Sequence, residues 1–233
     1  MLFSLNSGMP VCTSLPESHD IRRTVCFTGH REKSIEPFEN NPLYSTITVS
    51  AVKLMLSRYI DLAVEEGYNC FISGLATGTD LWAAEYVVKK KLSGKKLTLI
   101  GVLPYLRHAE RFPSDYKLLL QDVEKNSDLL VVTNDSPNIA YGKGKFNTSP
   151  SLYRDRNYFM VDNSSAVISF FNSGQSISGT YQTLAYAEKR GRTIHRFSLD
   201  DVFDVMNEVG ADIRRIGRKI AEFSDYPDLF TIL

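Results

Sequence analysis

The chain has 233 residues, with 27 Lys and Arg against 27 Asp and Glu, so its formal net charge is zero. That balance excludes a general electrostatic pull toward nucleic acid or an anionic membrane, though not a local basic patch. The hydrophobic fraction of 43% is enough for a sizeable core, and no apolar run approaches the roughly 18 residues of a membrane helix.

The first stretch, "MLFSLNSGMPVCTSLPESHDIRR", carries Gly8, Pro10 and Pro16. It lacks a basic start followed by a continuous apolar segment, so it does not read as a signal peptide. Residues 1–22 read as a polar extension, either loosely ordered or a small clasp. The cysteines Cys12, Cys26 and Cys70 form no CxxC pair, and Cys26 and Cys70 sit in apolar runs as buried small hydrophobes. A reducing cytoplasm is the expected location.

From Thr24 onward, apolar runs rich in β-branched residues alternate with helical patterns. "TVCFTG" (24–29) predicts the first strand. Residues 45–67 space Val52, Met55, Leu56, Tyr59, Ile60 and Ala63 as one face of a helix, with Gly67 as its stop. A strand over 69–74 and a helix over 79–94 follow, then a strand over 96–105 and a helix over 114–127. A strand over 128–134 leads into a polar loop (135–150) without periodicity, expected to be mobile. A helix over 151–164, a strand over 165–172, a helix over 178–191 and a strand over 193–198 complete the alternation, and the rest is mostly helical.

Continuous apolar strands alternating with helices imply an α/β fold: a doubly wound, mainly parallel sheet of about six strands, helices on both faces, Rossmann-like. The expected organisation is an extension (1–22), one domain (23–198) and a helical tail packed on it (199–233). In such sheets ligands sit beyond the carboxyl ends of the strands, near the point where strand order reverses. The turns at those ends hold "TGHRE" with Gly29, His30 and Arg31, "SGLATGTD" with Gly74, Gly78, Thr79 and Asp80, "RHAERF" with Arg107, His108 and Arg111, and "NSGQSISGT" with Ser176, Ser178, Gly179 and Thr180. Arg154, Arg156 and Asn157 precede the strand over 165–172. None of the glycine turns is a Walker A sequence or a GxGxxG fingerprint, and no GxSxG elbow occurs. The four histidines and three cysteines show no metal-ligand spacing, so no metal is expected.

Two glycine turns differ in charge. Asp80 lies in the first turn of its helix, where the free N–H groups and the helix dipole favour a carboxylate and repel an anion. The helix near Gly179 starts without an acid, and helix ends of that kind hold phosphate readily. Phosphate is therefore expected at 176–180, with Asp80 facing a sugar.

The motifs "TGHR", "SGLATGTDLWAAE", "RDRNYFMVDNSSAVISFF" and "SGTYQTLAYAEKRG" resemble the YpsA-like proteins of the SLOG superfamily, over about residues 24–198. That superfamily includes the DNA-processing protein DprA and the LOG phosphoribohydrolases. The resemblance implies a Rossmann-like fold for a nucleotide or nucleotide-derived ligand, with no further cofactor. It places Gly29, Gly74, Gly78, Asp80 and Glu85 in the first two motifs, Arg156 and Asn157 in the third, and Gly179 and Thr180 in the fourth. It also implies a homodimer. LOG enzymes read PGGxGTxxE in the last loop, where the Glu supports N-glycosidic cleavage, and Thr183 stands at that place here.

The leading reading is thus a nucleotide-binding sensor or regulatory module. A nucleotide N-glycosidic hydrolase is the alternative, with Asp80 or Glu85 as catalytic candidates. Those two acids lie about 140° apart round a helix at roughly 100° per residue, which argues against their convergence. A DprA-like single-strand DNA binder ranks third, because a basic–aromatic groove signature is lacking. Nucleic acid is therefore a poor fit as a partner, and a rim of Arg107, Arg111, Arg154 and Arg156 is what argues for it.

Overall fold

The computed structural model describes residues 2–32, 35, 42–134, 136, 150–172 and 178–226. The loop expected over 135–150, apart from Ser136 and Pro150, lies outside them, and so does Ser176. A six-stranded sheet, all parallel, runs in the order β6-β5-β4-β3-β7-β8. Its strands are β3 (Thr24–Gly29), β4 (Cys70–Ser73), β5 (Thr98–Leu103), β6 (Leu129–Val132), β7 (Ala166–Phe170) and β8 (Thr193–Phe197). The helices are α1 (Pro42–Glu65), α2 (Thr79–Leu92), α3 (Ser114–Asn126), α4 (Pro150–Asp162), α5 (Gly179–Lys189), α6 (Leu199–Val209) and α7 (Ile213–Ala221). The predicted doubly wound α/β sheet is the observed architecture, with each strand and helix of the alternation at its predicted place.

Strands β3 to β7 are largely apolar because both faces are covered, while the edge strand β8 carries Thr193, His195 and Arg196. Alternate residues enter different clusters, as the period of two in a strand requires. Val25 and Phe27 pack with α1, α2, α3, α6 and α7 on one face, while Cys26, Ile72 and Val167 pack with Met160, Val161 and Leu184 of α4 and α5 on the other. Each fully buried Leu, Ile, Val or Phe contributes about 1.5–3 kcal/mol through its removal from water. The helical face read from α1 is the face that is buried, from Val52 to Ala63. The helix stops at a turn where Gly67 takes φ +97°. Trp82 is buried, with the Lys53 ammonium 5.0 Å above its ring. Among the described residues no helix is long and apolar enough to cross a membrane.

The opening residues form a two-stranded antiparallel hairpin, β1 (Leu2–Phe3) and β2 (Pro10–Val11), which the sequence reading did not resolve. Two-residue strands among Gly, Pro and Ser leave no alternation to detect. Cys12 then adds one parallel rung to β6: its N–H donates to Leu130 O at 2.9 Å and its carbonyl accepts from Val132 N at 2.8 Å. The hairpin also covers Glu124 of α3, which is fully buried and accepts from Ser4 Oγ at 2.5 Å. Burial raises the Glu124 pKa, and the serine hydroxyls oppose that rise. Ser4→Ala is expected to cost about 1–3 kcal/mol by leaving a buried carboxylate short of a donor, read as a lower urea midpoint with an unchanged m value.

Candidate functional site

Strand order reverses between β3 and β7. The chain leaves β3 toward α1 on one face and leaves β7 toward α5 on the other, which opens a crevice over their carboxyl ends. His30 fills the base of that crevice. Its N–H donates to Phe170 O at 3.1 Å, and its ring Nε2 accepts from Asn172 N at 2.9 Å. The ring lies against Phe171, with centroids 5.3 Å apart. Accepting at Nε2 puts the proton of the neutral ring on Nδ1. Burial lowers the His30 pKa, opposed by the backbone bond from Asn172. His30, expected to touch ligand, joins the two diverging strands through its backbone N–H and its Nε2.

The β4–α2 turn interlocks with the β3 turn through two glycines. Gly78 has φ +87°, and a Cβ there would lie 2.7 Å from Arg31 Cα and 2.8 Å from His30 O. Thr79 Oγ1 donates to His30 O at 2.8 Å. A Cβ on Gly29 would lie 2.5 Å from that same hydroxyl. Gly29 thus makes room for Thr79, and Gly78 makes room for the backbone of residues 30–31. Ser73 closes the turn, donating from Oγ to Asp80 O at 2.8 Å and accepting from Leu75 N at 3.1 Å. Leu75 is the one described non-glycine residue with positive φ, at +53°. Such backbone costs on the order of 1–3 kcal/mol and concentrates at functional sites.

Asp80 does not lie open at the helix end. Its carboxylate meets Arg156, with Nη1 3.4 Å from Oδ2, and the two side chains are 8% and 4% exposed. Gly74 admits the guanidinium, since a Cβ there would lie 1.4 Å from Nη1. Burial raises the Asp80 pKa, and the Arg156 charge and the Ala76 N–H oppose that rise. Arg31 is exposed and within electrostatic reach of both members of the pair.

Beside the pair lies His108, which is 5% exposed. Neither of its ring nitrogens meets a partner, and Arg156 Nε also lacks one. Burial, then the Arg156 charge, holds the His108 pKa down at about 3. Burial likewise holds His195, stacked on Tyr226, at about 4. Both folded values lie below the ordinary 6.5. Stability from these neutral rings is therefore complete above about pH 6.5 and is lost as pH falls toward 3–4. Denaturant titrations near pH 7 and pH 5 are expected to show that loss, with a smaller difference for His108→Phe.

A cleft of about 370 Å³ opens between α4 and α5, lined by Tyr153, Asn157, Tyr158, Gly179, Gln182 and Thr183 among others. Asn157 Nδ2 donates to Thr183 Oγ1 at 2.8 Å, and that hydroxyl donates to Gly179 O at 2.7 Å. The Tyr153 and Tyr105 hydroxyls meet at 3.0 Å, joining the cleft to the segment that carries His108. Ser178, expected as a phosphate donor, caps α5 by accepting from Tyr181 N at 3.1 Å. Gly179 is exposed with open space beside it, and Thr180 is buried.

The site residues read from the sequence thus form three groups. Gly74, Asp80 and Arg156 meet at the buried pair. Gly29, His30, Gly78 and Thr79 lock the backbone beneath it, with Arg31 at the surface. Asn157, Ser178, Gly179 and Thr180 belong to the α4–α5 side. Glu85 stands apart in the second turn of α2 and pairs with Lys89 Nζ at 2.6 Å. Of the basic rim, Arg107 pairs with Glu110, Arg154 pairs with Asp155, and Arg156 is interior. Among the described residues no group of three or more His, Cys, Asp or Glu is placed to hold a metal. Sequence reading placed His108 in the turn "RHAERF" beyond the third strand but not among the ligand-binding candidates, because that stretch looks like a solvated basic segment.

Known proteins place the chain further. Residues 25–202 match the YspA SLOG family. A UPF0398 protein of Macrococcus caseolyticus is 26% identical over 190 residues, covering 80% of this chain and 96% of that protein. A UPF0398 protein of Bacillus cereus is 23% identical over 187 residues, covering 80% and 94%. Among solved structures, DNA processing protein A from Helicobacter pylori, described for its single-stranded DNA binding mode, aligns at 16% identity. Its TM-score is 0.49, over 91% of this chain and 94% of that one. The DNA binding is that protein's property.

Proposed function

The chain belongs to the YspA SLOG family, and from that membership we propose that it binds a nucleotide or nucleotide-derived ligand as a sensor or regulatory module. One observation carries the reading. At the carboxyl end of β7 the start of α5 opens on the α4–α5 cleft of about 370 Å³, where Gly179 stands in open space and no acid occupies the first turn. A helix start of that kind, with free N–H groups and no competing carboxylate, favours an anionic group such as a phosphate. Turnover by N-glycosidic cleavage is less well supported. Asp80 is tied to Arg156, Glu85 is tied to Lys89, and Thr183 occupies the position of the LOG glutamate with its hydroxyl already bonded.

Thermal denaturation with nucleoside mono- and diphosphates tests the reading. A ligand at a hundred times its Kd stabilises by about 2.7 kcal/mol, which for a chain of this size raises Tm by roughly 5–10 °C. Thr180→Val and Arg156→Lys are expected to remove the rise. No rise with any nucleotide at millimolar concentration would sink the proposal. Free base released from AMP would move the assignment to a hydrolase, and salt-dependent retention of single-stranded DNA on a filter would move it to a nucleic-acid binder.

A further inference from the structure

The α4–α5 cleft presents one acceptor whose orientation the surrounding bonds fix. The Thr183 hydroxyl has a single proton and gives it to Gly179 O at 2.7 Å, an oxygen that can only accept. Toward Asn157 the hydroxyl can therefore only accept, which sets the amide with Nδ2 toward it, at 2.8 Å. Thr183 is 1% exposed, which shields that bond from solvent. The other end of the amide, Oδ1, meets no donor among the described residues and is not sealed from solvent. Asn157 lines the cleft, so a bound molecule can reach that oxygen.

The rest of the cleft narrows what would reach it. Tyr153 and Tyr158 lie in its walls, each held by a second tyrosine. Tyr158 stacks on Tyr186 with centroids 3.8 Å apart, and Tyr153 meets Tyr105 edge-on at 6.0 Å. Among the described lining residues only Arg154 is charged, and it pairs with Asp155. Aromatic walls with little unpaired charge suit a flat, neutral ring better than a second phosphate. Thr183 stands beyond Gly179 on α5, about 6 Å along the axis at roughly 1.5 Å per residue. That leaves room for a sugar between a phosphate at the helix start and a base beside Asn157. We propose that Asn157 selects the base of the bound nucleotide by accepting from its exocyclic amino group, that of adenine or of cytosine, and that Thr183 positions it to do so. An oxo group at the same place, as in hypoxanthine or uracil, would set two acceptors against each other. This rests on the nucleotide-binding reading and assigns the base to the α4–α5 cleft.

Two pairs of nucleotides that differ at this edge of the base test the assignment: AMP against IMP, and CMP against UMP. Binding is measured by calorimetry for the wild type, Asn157→Ala, Thr183→Val and Thr183→Ser. The wild type is expected to bind the amino member of at least one pair roughly tenfold more tightly than its oxo partner, the worth of one hydrogen bond. Asn157→Ala is expected to bind both members alike. Thr183→Val keeps the volume of residue 183 and keeps Asn157, but lets the amide turn over, so the preference should shrink. Thr183→Ser keeps the hydroxyl and should keep the preference, a contrast that packing alone does not produce. Equal binding within both pairs by the wild type, or a preference for the oxo member, overturns the assignment while leaving nucleotide binding intact. A preference that survives undiminished in Asn157→Ala or in Thr183→Val overturns it as well. If AMP, IMP, CMP and UMP all fail to bind, the nucleotide reading itself falls, and this assignment with it.

Discussion

Arg156→Ala is expected to destabilise the fold by about 3–5 kcal/mol, because it leaves the Asp80 carboxylate buried without its counter-charge. At this chain length that corresponds to a Tm lower by roughly 10 °C or more. Asp80→Ala is expected to do the same from the other side, stranding a guanidinium that is 4% exposed. Replacing both members by apolar residues of similar volume, Asp80→Leu with Arg156→Met, should recover most of the loss, since burying two charges has its own desolvation penalty. Ligand-induced stabilisation should stay absent in the double variant. A double variant that is stable yet unresponsive would separate the structural part of the pair from its binding part. Recovery of neither stability nor response would mean that the pair is essential to the local packing. Far-UV circular dichroism with thermal melts, with and without nucleotide, distinguishes these outcomes.

Gly78→Ala is expected to cost at least about 2–4 kcal/mol and to abolish ligand response together with stability. The residue combines φ +87° with ψ −134°, backbone that is nearly closed to residues with a Cβ. The added methyl would also meet the main chain of Arg31 and His30 at 2.7–2.8 Å. Main chain cannot swing aside as a side-chain terminus can. To relieve the contact, the β3 turn must retreat and give up the Thr79 Oγ1 bond to His30 O. Gly74→Ala tests a different contact. Its methyl would displace the Arg156 guanidinium rather than backbone, so its effect should resemble Arg156→Ala. A Gly78→Ala protein that melts like the wild type would show that the two turns do not interlock as described.

The sheet was readable because its inner strands are buried on both faces. A run such as "CFIS" or "AVISF" has no solvent side, so no alternation confuses it with an amphipathic segment. Gly74, Gly78 and Thr79 were readable for a related reason, because glycine and hydroxyl residues between a strand and a helix mark a turn. The Asp80–Arg156 pair was not. "YRDRNYFMVD" carries charges of both signs and looks like the outer face of a helix. Only the crossing of α4 over Gly74 brings one of its two arginines inside while Arg154 stays at the surface. The turn that carries His108 was legible but its burial was not, because a strand end followed by "RHAERF" gives no period from which burial can be inferred. Charge counted along the sequence suggested a basic rim. Charge placed in the fold shows one arginine turned inward and two others tied to neighbouring carboxylates.

The single rung that Cys12 adds to β6 also bears on how these molecules behave in a crowd. An outermost strand of a sheet leaves backbone N–H and carbonyl groups unpaired, which is a template for another chain to extend. β8, at one margin, carries the exposed Thr193 and Arg196, and a charge there discourages stacking. β6, at the other margin, is "LLVV" and has no charge of its own. Its protection is the hairpin-anchored N-terminal segment, which occupies the Leu130 carbonyl and the Val132 N–H. The opening residues therefore cover this margin of the sheet at that rung, held to α3 by the bond of Ser4 to Glu124.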